Sequence, residues 1–339
     1  MSSAENWRLG WAFARSLASY GVGGAARPFS ASFAVTNRCN LRCRYCNTPF
    51  LDSAQLSLPQ IAVLFQKLRR LGVVRLGLAG GEPLVRDDIG EIVRLAKAER
   101  FWVSLNTNLN LYRRHESLFD HIALVFTSLD GTAEHHREGR GEKSLDGTLE
   151  AIRALRARRV VVVAICVVDV HNIDDADVLL EQAVQLDIRV HFQPRCTDTE
   201  IVRGEYSEAL DNERLRAFWR RLRQRRTADA RIASTALYLD HMAAWTDFRR
   251  SAIATDETRC AAGRGFLYVD PQGNAFPCAY TKGKVPPINL LDEEWRGPAC
   301  GATPCNDCAV GPMVEFNTLF RRPLRAAIDA AGSYATFRR

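Results

Sequence analysis

The stretch "TNRCNLRCRYCNTPF" at residues 36–50 contains three cysteines in a C-x3-C-x2-C spacing: Cys39, Cys43 and Cys46. Three thiols this close together are typical of ligands that share one metal centre. A structural zinc site takes four protein ligands, whereas a catalytic zinc site can take three and keep one position open. A cubane [4Fe-4S] cluster held by three cysteines likewise keeps one iron open. The number of thiols therefore predicts a metal centre and leaves the metal undecided.

The composition is that of an ordinary globular protein, with 339 residues of which 47% are hydrophobic and 25% charged. That length suffices for about two domains. The longest apolar run, "VVVVAICVV" at 160–168, is much shorter than the about 20 residues needed to cross a bilayer, so it predicts a buried strand. Charged residues occur early in the chain, at Glu5, Arg8 and Arg15, which argues against a secretory signal and favours a cytoplasmic location.

Ten cysteines in a reducing compartment are better explained as metal ligands than as disulfides. Their distribution supports this interpretation, because three lie at 39–46, five at 260–308, and only Cys166 and Cys196 stand alone. Cys166 lies inside the apolar run and is expected to pack in the core. Cys196 follows a predicted strand and is interpreted first as a buried structural thiol.

Two surface features leave alternatives open. The net charge is +7, and the arginine-rich "RRLRQRR" at 220–226 could bind nucleic acid, although we favour a solvated helix face. A basic surface also suits docking of a small acidic electron carrier. A short N-terminal helix is predicted around Trp7, Trp11, Phe13 and Leu17. We expect it to pack on the body of the protein, the alternative being a position on a membrane surface.

From residue 32 to about 226, apolar segments typical of strands alternate with amphipathic segments typical of helices. The predicted strands are 32–37, 75–81, 102–108, 123–130, 160–168 and 189–195, and the predicted helices are 57–71, 87–99, a short 112–118, 145–158 and 174–186. Such alternation predicts parallel βα units. Polar residues gather where the strands end, at 37, 80–82, 106–108, 128–130 and 193–195. The prediction is an α/β fold, a partial (βα)6 TIM-like barrel with its site at the C-terminal rim.

The C-terminal third has a different pattern. Helical stretches from about 206 to 250 precede "FLYVDPQGNAFPC" at 266–278, whose alternation around a Pro-Gln-Gly turn predicts a β-hairpin. The knuckle "CGATPCNDC" at 300–308 follows. We therefore predict a small cysteine-rich hairpin domain after the barrel. The predicted division is an N-terminal helical extension at 1–31, the core barrel at 32–226, a helical linker at 227–258, the cysteine-rich domain at 259–312 and a helical tail at 313–339.

The motif "CNLRCRYC", followed by "AGGEP" at 79–83 where the second strand ends, resembles the radical SAM superfamily. The resemblance covers residues 32 to 195. It implies that Cys39, Cys43 and Cys46 hold three irons of a [4Fe-4S] cluster and that S-adenosylmethionine (SAM) chelates the fourth. It also implies that one electron cleaves SAM to methionine and a 5′-deoxyadenosyl radical, which removes a hydrogen atom from a substrate.

The resemblance also implies residues that bind SAM. Gly80 and Gly81 lack a Cβ and allow close approach of the backbone, and Glu82 offers a carboxylate to the methionine ammonium. Pro83 stiffens the exit of the turn. By analogy, the remaining contacts come from Tyr45 at the adenine, Asn106 and Ser128 at the ribose and sulfonium, and Arg140 near the carboxylate. The family often reads "TNG" where this chain has Thr107, Asn108 and Leu109, so that loop departs from the pattern.

The later cysteines resemble the SPASM branch of the superfamily in its shortened twitch form. That resemblance implies one auxiliary [4Fe-4S] cluster bound by Cys260, Cys278, Cys305 and Cys308. Cys300 is then a spare thiol or an alternative ligand. A zinc knuckle with four cysteine ligands remains the alternative interpretation. An auxiliary cluster near the substrate could accept an electron from a product radical and so favour net oxidation.

The predicted function is a radical SAM oxidoreductase or maturase that acts on a small metabolite or a ribosomal peptide. The expected electron donor is a flavodoxin or ferredoxin-type protein. No cobalamin-binding or peptide-recognition domain is expected before the core. Cys196 gives a further hypothesis, because a thiol near the radical could return a hydrogen atom as an epimerase requires. A zinc-binding nucleic-acid module is a distant alternative that leaves "GGEP" unexplained.

Other polar residues near the rim are assigned more loosely. Asp130, Gln193 and Arg195 could hold substrate or could be structural. His135 and His136 are expected to lie in a loop after Asp130 and to face solvent.

Overall fold

The computed structural model describes residues 3–21, 26–197, 199–202, 211–255, 260–297 and 305–326. Its centre is a run of six strands in which every neighbour is parallel. These strands are β1 (Ser30–Thr36), β2 (Arg75–Gly80), β3 (Trp102–Asn106), β4 (Leu124–Ser128), β5 (Val162–Val168) and β6 (Arg189–Pro194). Their order in the sheet is their order in the chain, which confirms the predicted partial barrel of βα units.

Nine α-helices occur within the described residues. They are α1 (Ser3–Gly21), α2 (Leu58–Leu71), α3 (Ile89–Ala98), α4 (Ala133–Arg140), α5 (Ser144–Ala157), α6 (Ala176–Gln185), α7 (Asn212–Arg225), α8 (Ala236–Ala244) and α9 (Gly311–Arg321). No helix in this part of the chain is long and apolar enough to cross a membrane. The predicted helix at 112–118 is instead two 3-10 helices, Tyr112–Arg114 and Glu116–His121.

Helix α2 shows how local signals and burial act together. Ser57 and Gln60 form a capping box at its start, and Gly72 ends it with a left-handed φ of 105°. Its buried face includes Phe65, whose ring meets that of Phe33 on β1 edge-on at 6.0 Å. Burying a side chain of this size stabilises the fold by about 2–3 kcal/mol. The apolar residues whose periodicity predicts the helix are thus the ones that pack on the sheet.

The C-terminal hairpin joins the core sheet. Its strands are β8 (Phe266–Val269) and β9 (Asn274–Phe276), which pair antiparallel across a turn where Gly273 has a φ of 87°. This confirms the predicted hairpin. Strand β8 also pairs parallel with β1, and β10 (Ile288–Asn289) continues the sheet beyond β9. The cysteine-rich segment is therefore continuous with the barrel sheet, and the predicted domain limits remain predictions.

The side of the barrel between β6 and β8 is covered by the last helices. Gly311, at the start of α9, packs on β6 so closely that a Cβ there would lie 2.9 Å from the Gln193 side chain. Farther along α9, Phe320 packs on Phe29 just before β1, with the two rings tilted at 6.0 Å. Phe13 of α1 meets both rings edge-on, at 5.3 and 5.7 Å. The N-terminal helix therefore packs on the body of the protein, as expected.

Two short strands, β7 (Ala252–Ile253) and β11 (Asp307–Cys308), form a separate antiparallel ribbon. The arginine-rich segment at 220–226 ends α7, whose apolar face is buried through Leu215, Phe218, Trp219 and Leu222. Its arginines pair with carboxylates, Arg220 with Glu213 and Arg223 with Asp240. The favoured interpretation as a solvated helix face therefore agrees with the structure.

Candidate active site

The three-cysteine loop begins where β1 ends. Within the loop, the backbone N–H of Cys46 donates to the carbonyl of Cys43 at 3.1 Å, and the N–H of Leu41 donates to Cys39 Sγ at 3.4 Å. Cys46 also forms an isolated antiparallel bridge with Val202, in the segment that follows β6. The loop is therefore held between the first and the last strands of the barrel.

The thiols of this loop lie in surroundings that disfavour the free thiolate. Burial, together with the negative charges of Glu82, Cys43 and Cys46, raises the pKa of Cys39 to about 12, against the opposing hydrogen bond from the backbone of the same loop. Burial also raises the pKa of Cys43. A cation at this site would displace those protons and compensate the thiolate charges. Among the described residues, no three His, Cys, Asp or Glu side chains are spaced to hold a single metal ion, so the fit to an iron–sulfur cluster rests on the donor set.

The two glycines of "GGEP" bring the end of β2 against the cysteine loop. Gly80 has a φ of 131°, and a Cβ there would lie 2.2 Å from the carbonyl oxygen of Thr36. A Cβ on Gly81 would lie 2.3 Å from the carbonyl oxygen of Arg38. The backbone of the turn donates to the same loop, from the Glu82 N–H to the Arg38 carbonyl at 2.9 Å. The two glycines are thus needed because the turn lies directly against the backbone of the cysteine loop.

Gly81→Ala should lower the free energy of unfolding by about 3 kcal/mol, because backbone atoms block the new Cβ and cannot move like a side-chain end. Gly90→Ala on α3 is the matched control, since nothing lies within 4 Å of its Cβ position. The control should be neutral or up to about 1 kcal/mol more stable, because alanine favours helix. Urea unfolding of the cluster-free proteins measures both changes, and equal effects would contradict the steric explanation.

Glu82 is buried and connects β2 to the loop after β3. Its Oε1 accepts from the Thr107 hydroxyl at 2.7 Å and the Leu84 N–H at 2.9 Å, and its Oε2 accepts from the Asn108 N–H at 2.6 Å. Burial raises the pKa of Glu82 to about 7, although these hydrogen bonds oppose the rise. Leu109 stands where the family has glycine and takes a φ of 63°. The departure from "TNG" therefore keeps the left-handed backbone.

A buried ion pair lies on the other side of the cysteine loop. Asp130 follows β4, and its Oδ2 accepts from Arg140 Nε at 2.5 Å and from the Tyr45 hydroxyl at 3.1 Å. Its Oδ1 accepts from the Val167 N–H of β5 at 3.0 Å. The guanidinium of Arg140 lies over the Tyr45 ring at 5.4 Å. The Asp130 carboxylate thus links the cysteine loop to α4 and two strands.

Electrostatics keep this pair ionised. Burial alone would raise the pKa of Asp130, but the Arg140 charge and its hydrogen bonds outweigh burial and hold the pKa below its ordinary value. The Asp130 charge in turn holds the pKa of Arg140 well above its usual range against the effect of burial. The same guanidinium opposes the burial effect on the Cys43 pKa. Arg140 is therefore a fixed positive charge close to the cysteine loop.

Comparison with known proteins identifies the domain that carries this site. Residues 33–183 match the family described as the Radical SAM superfamily. The chain therefore contains a radical SAM domain at these residues. Solved structures of similar fold include SuiB from Streptococcus suis bound to S-adenosylmethionine, with 14% identity, a TM-score of 0.64, and coverage of 90% of this chain and 68% of SuiB. A second is anSMEcpe with bound AdoMet, with 15% identity, a TM-score of 0.64, and coverage of 90% and 99%.

A third similar structure is SuiB bound to precursor peptide SuiA, with 14% identity and a TM-score of 0.63. The match covers 93% of this chain and 70% of that one. At these identities the likeness shows a shared fold. It extends well beyond the matched radical SAM domain.

The structure corrects the prediction for the two histidines that follow Asp130. The segment after Asp130 is helix α4, not a loop, and Thr132 caps it by accepting from the His135 N–H. His136 is 1% exposed, and its Nδ1 accepts from the Asp130 N–H at 3.3 Å. His135 is partly buried and bonds Asp175 at 2.5 Å. The N-cap threonine followed by Glu134 was the sequence signal for this helix.

The buried His136 makes stability depend on pH. Burial, reinforced by the Arg140 charge, lowers the pKa of His136 from 6.5 to about 4. The unfolded chain therefore binds a proton that the native state does not, and the free energy of unfolding should fall as pH drops from 6.5 towards 4. This one group contributes a slope of at most about 1.4 kcal/mol per pH unit.

His136→Asn should flatten that slope by about the same amount, because asparagine keeps an acceptor for the Asp130 N–H and does not titrate. Urea unfolding of the cluster-free protein across this pH range gives the slope. His121→Asn, at an exposed position, is the control. His191, whose pKa burial also lowers to about 4, adds to the slope that remains, whereas Glu82, whose pKa is raised to about 7, opposes it because its native state binds the extra proton. An unchanged slope in His136→Asn would contradict the assignment.

The other predicted SAM and rim residues lie at the C-terminal ends of their strands. Asn106 is exposed at the end of β3, and Ser128 is partly buried at the end of β4. Arg195 is buried after β6, and Cys196 beside it is partly exposed. Cys196 and Cys308 are both close enough to Tyr238 for their charges to raise its pKa. The roles predicted for these residues remain predictions.

The later cysteines form a second group beside the barrel. Cys260 precedes β8, Cys278 follows β9, and Cys308 lies in β11, so the hairpin and the ribbon bring them together. Burial, together with the charges of Cys260 and Cys305, raises the pKa of Cys278 to about 12. Cys300 lies outside the described residues. Four neighbouring thiols are a donor set suited to a [4Fe-4S] cluster or to zinc.

Sequence reasoning missed two polar residues that surround this group. Asn317 of α9 donates from Nδ2 to Cys260 Sγ at 3.4 Å and accepts from the Ala261 N–H at 2.8 Å. His241 of α8 contacts the Cys308 carbonyl through Nε2 at 2.8 Å. Both come from helices outside the cysteine motif. No local pattern in the sequence pointed to them.

Proposed function

We propose that the chain is a radical SAM enzyme that binds a [4Fe-4S] cluster through Cys39, Cys43 and Cys46 and uses SAM to modify an organic substrate oxidatively. The observation that carries the proposal is the three-thiol loop at the end of β1, fixed by the glycine turn of β2. When bound, the cluster and SAM supply a 5′-deoxyadenosyl radical that removes a hydrogen atom from the substrate. Three protein thiols leave one iron for SAM.

The surrounding residues bind and orient the reactants in this proposal. Gly80 and Gly81 keep the cysteine loop close to the end of β2, and Glu82 is positioned near the same turn by Thr107. Glu82 is the proposed acceptor for the methionine ammonium, with Arg140 near the carboxylate. Tyr45, Asn106 and Ser128 are the proposed contacts to the nucleoside part, by analogy with the family. Arg140 is held in place by Asp130, which makes its charge available in a fixed position.

A second [4Fe-4S] cluster is proposed at Cys260, Cys278, Cys305 and Cys308, in a domain of the twitch type. The ribbon that carries Cys308 is joined to the end of β6 through Ser251, which accepts from the Ala309 N–H at 2.8 Å and bonds the Thr197 N–H at 2.7 Å. Strand β8, which lies between Cys260 and Cys278 in the chain, pairs with β1. A cluster there would lie along the open side of the barrel, where it could accept an electron from a substrate radical.

The proposed substrate is a ribosomal peptide or a small metabolite, and the proposed electron donor is a flavodoxin or ferredoxin-type protein. A peptide is supported by the fold shared with SuiB, a structure of which contains precursor peptide SuiA. The formal charge of +7 supports an acidic electron carrier. Oxidation is the favoured outcome because of the proposed second cluster, and epimerisation with Cys196 as hydrogen donor is the alternative.

Metal content after anaerobic purification and reconstitution tests the two cluster sites separately. We expect about eight irons and eight sulfides per chain, and about four of each in a Cys278→Ala variant. The reduced protein should convert SAM to 5′-deoxyadenosine. Zinc without sulfide in both sites would overturn the proposal. Iron at the first site and zinc at the second would overturn only the auxiliary cluster.

A further inference from the structure

The solvent-facing side of helix α1 carries an apolar stripe, with the exposed Arg15 beside it. The stripe consists of Trp7, Trp11, Ala14 and Ala18, all exposed, and the two tryptophans are 80% and 73% exposed. The spacing of four, three and four residues is the heptad spacing of a coiled-coil seam. Contiguous exposed apolar side chains of this kind are typical of contact surfaces.

The opposite side of α1 already has its packing partner. Ala12 and Ser16 are buried, and Phe13 and Tyr20 pack on Phe320 of α9. The stripe therefore cannot be the face that holds α1 on the protein. The side chains of Arg8 and Arg15 reach the body of the protein. Arg8 donates to the Arg100 carbonyl, and Arg15 donates to the Gly72 carbonyl. The exposed tryptophans contribute nothing to this attachment.

The stripe is complementary to itself when two copies run antiparallel. A two-fold axis between Trp11 and Ala14 places Trp11 opposite Ala14 of the second copy and Trp7 opposite Ala18 of the second copy. Each large side chain then meets a small one, which is how facing helices pack without voids. We propose that the chain forms a homodimer through antiparallel pairing of two α1 helices along this stripe.

The area of the stripe predicts a weak dimer. Each exposed tryptophan can bury about 150–200 Å², so the four tryptophans of a pair bury roughly 600–800 Å². The facing alanines add to this, and the total stays at the low end for specific interfaces, near about 1,000 Å². Such an interface dissociates on dilution, with a dissociation constant on the order of 10 µM.

The flanking charges predict how salt acts on the dimer. Arg8 and Arg15 lie on the same flank of the stripe, and an antiparallel two-fold pair brings this flank of one helix to the same flank of the other. The arginines of the two copies therefore repel each other across the interface. Salt screens that repulsion, so dimerisation should strengthen as ionic strength rises.

Sedimentation equilibrium of the reconstituted, anaerobic protein tests the pairing. The intact chain should pass from monomer to dimer between about 1 and 200 µM, and more readily at higher salt. A Trp7→Ser, Trp11→Ser double variant should raise the dissociation constant at least about 100-fold. Ala14→Trp should also raise it, because it puts a large side chain opposite Trp11. Val184→Ser on α6, a 58% exposed apolar position, is the control and should change nothing.

Vesicle binding separates the dimer from a membrane-bound helix. Ala14→Trp adds apolar surface, so it would strengthen binding of the protein to vesicles with anionic lipids if the stripe faced a membrane. The proposal is overturned if the intact chain stays monomeric at all concentrations. It is also overturned if the double variant dimerises as well as the intact chain. Monomers that bind vesicles, and bind them more tightly with Ala14→Trp, would assign the stripe to a membrane surface instead.

Discussion

Cys39→Ala is expected to reduce the formation of 5′-deoxyadenosine to the level of a control without enzyme. Without this thiol the proposed first site keeps only two of its three proposed ligands, and the cluster proposed to bind SAM should not assemble. Cys278→Ala should behave differently, because the first site stays complete. It should still release 5′-deoxyadenosine while it fails to complete an oxidation of the substrate. Anaerobic assays with quantified nucleoside and iron measure both variants.

Cys166→Ala is the control for these variants. Cys166 is a buried thiol of β5 that belongs to neither group of cysteines, so its loss should leave both the iron content and the nucleoside yield unchanged. Iron content should fall by about four atoms in Cys39→Ala and stay at about eight in the control. Normal nucleoside formation by Cys39→Ala would refute the assignment of the first site.

Asp130→Asn is expected to lower the free energy of unfolding by about 3–5 kcal/mol, because it leaves the buried guanidinium of Arg140 without a counter-charge. Asp130 and Arg140 are 3% and 9% exposed, so water cannot replace the lost partner. The variant should also assemble the first cluster poorly, since Asp130 orients Tyr45 in the cysteine loop. Urea unfolding of the cluster-free protein and iron content after reconstitution give the two results.

The same helix supplies a matched control for this prediction. Asp146 pairs with Arg137 of α4 at 3.2 Å, but its side chain is 80% exposed. Asp146→Asn should therefore cost less than about 1 kcal/mol. Adding Arg140→Met to Asp130→Asn should restore much of the stability, because the unpaired charge is removed. Equal losses for the two aspartates, or no recovery in the double variant, would contradict the role given to the buried pair.

The sequence was sufficient to predict the barrel, and it placed the proposed site where the first strand ends. Each βα unit can be recognised from its own residues, namely an apolar strand, a capped helix such as α2 and polar residues at the strand end. The cysteine spacing and the glycine turn are also local signals, because each consists of a few residues that are neighbours in the chain. For the same reason the hairpin at 266–278 could be predicted from its own residues, and the structure confirms it.

What the sequence could not predict depends on residues far apart in the chain. Strand β8 lies beside β1 because the backbone groups at the edge of β1 need hydrogen-bonding partners. Neither segment contains a local pattern that predicts this pairing. The sequence assigned Asp130 to the rim as a possible substrate contact, and the structure gives its carboxylate to Arg140 and Tyr45. His136 was expected in solvent and is buried in α4.

By itself, then, the sequence determined the kinds of elements, their order and the place of three closely spaced thiols after β1, because each depends on neighbours within a few residues. Only the tertiary structure decided which charges are buried together, which edge the hairpin joins and which face of α1 remains open. Burial is the physical reason for the difference. It decides whether a carboxylate, an imidazole or a tryptophan must find a partner, and it arises only when distant segments pack.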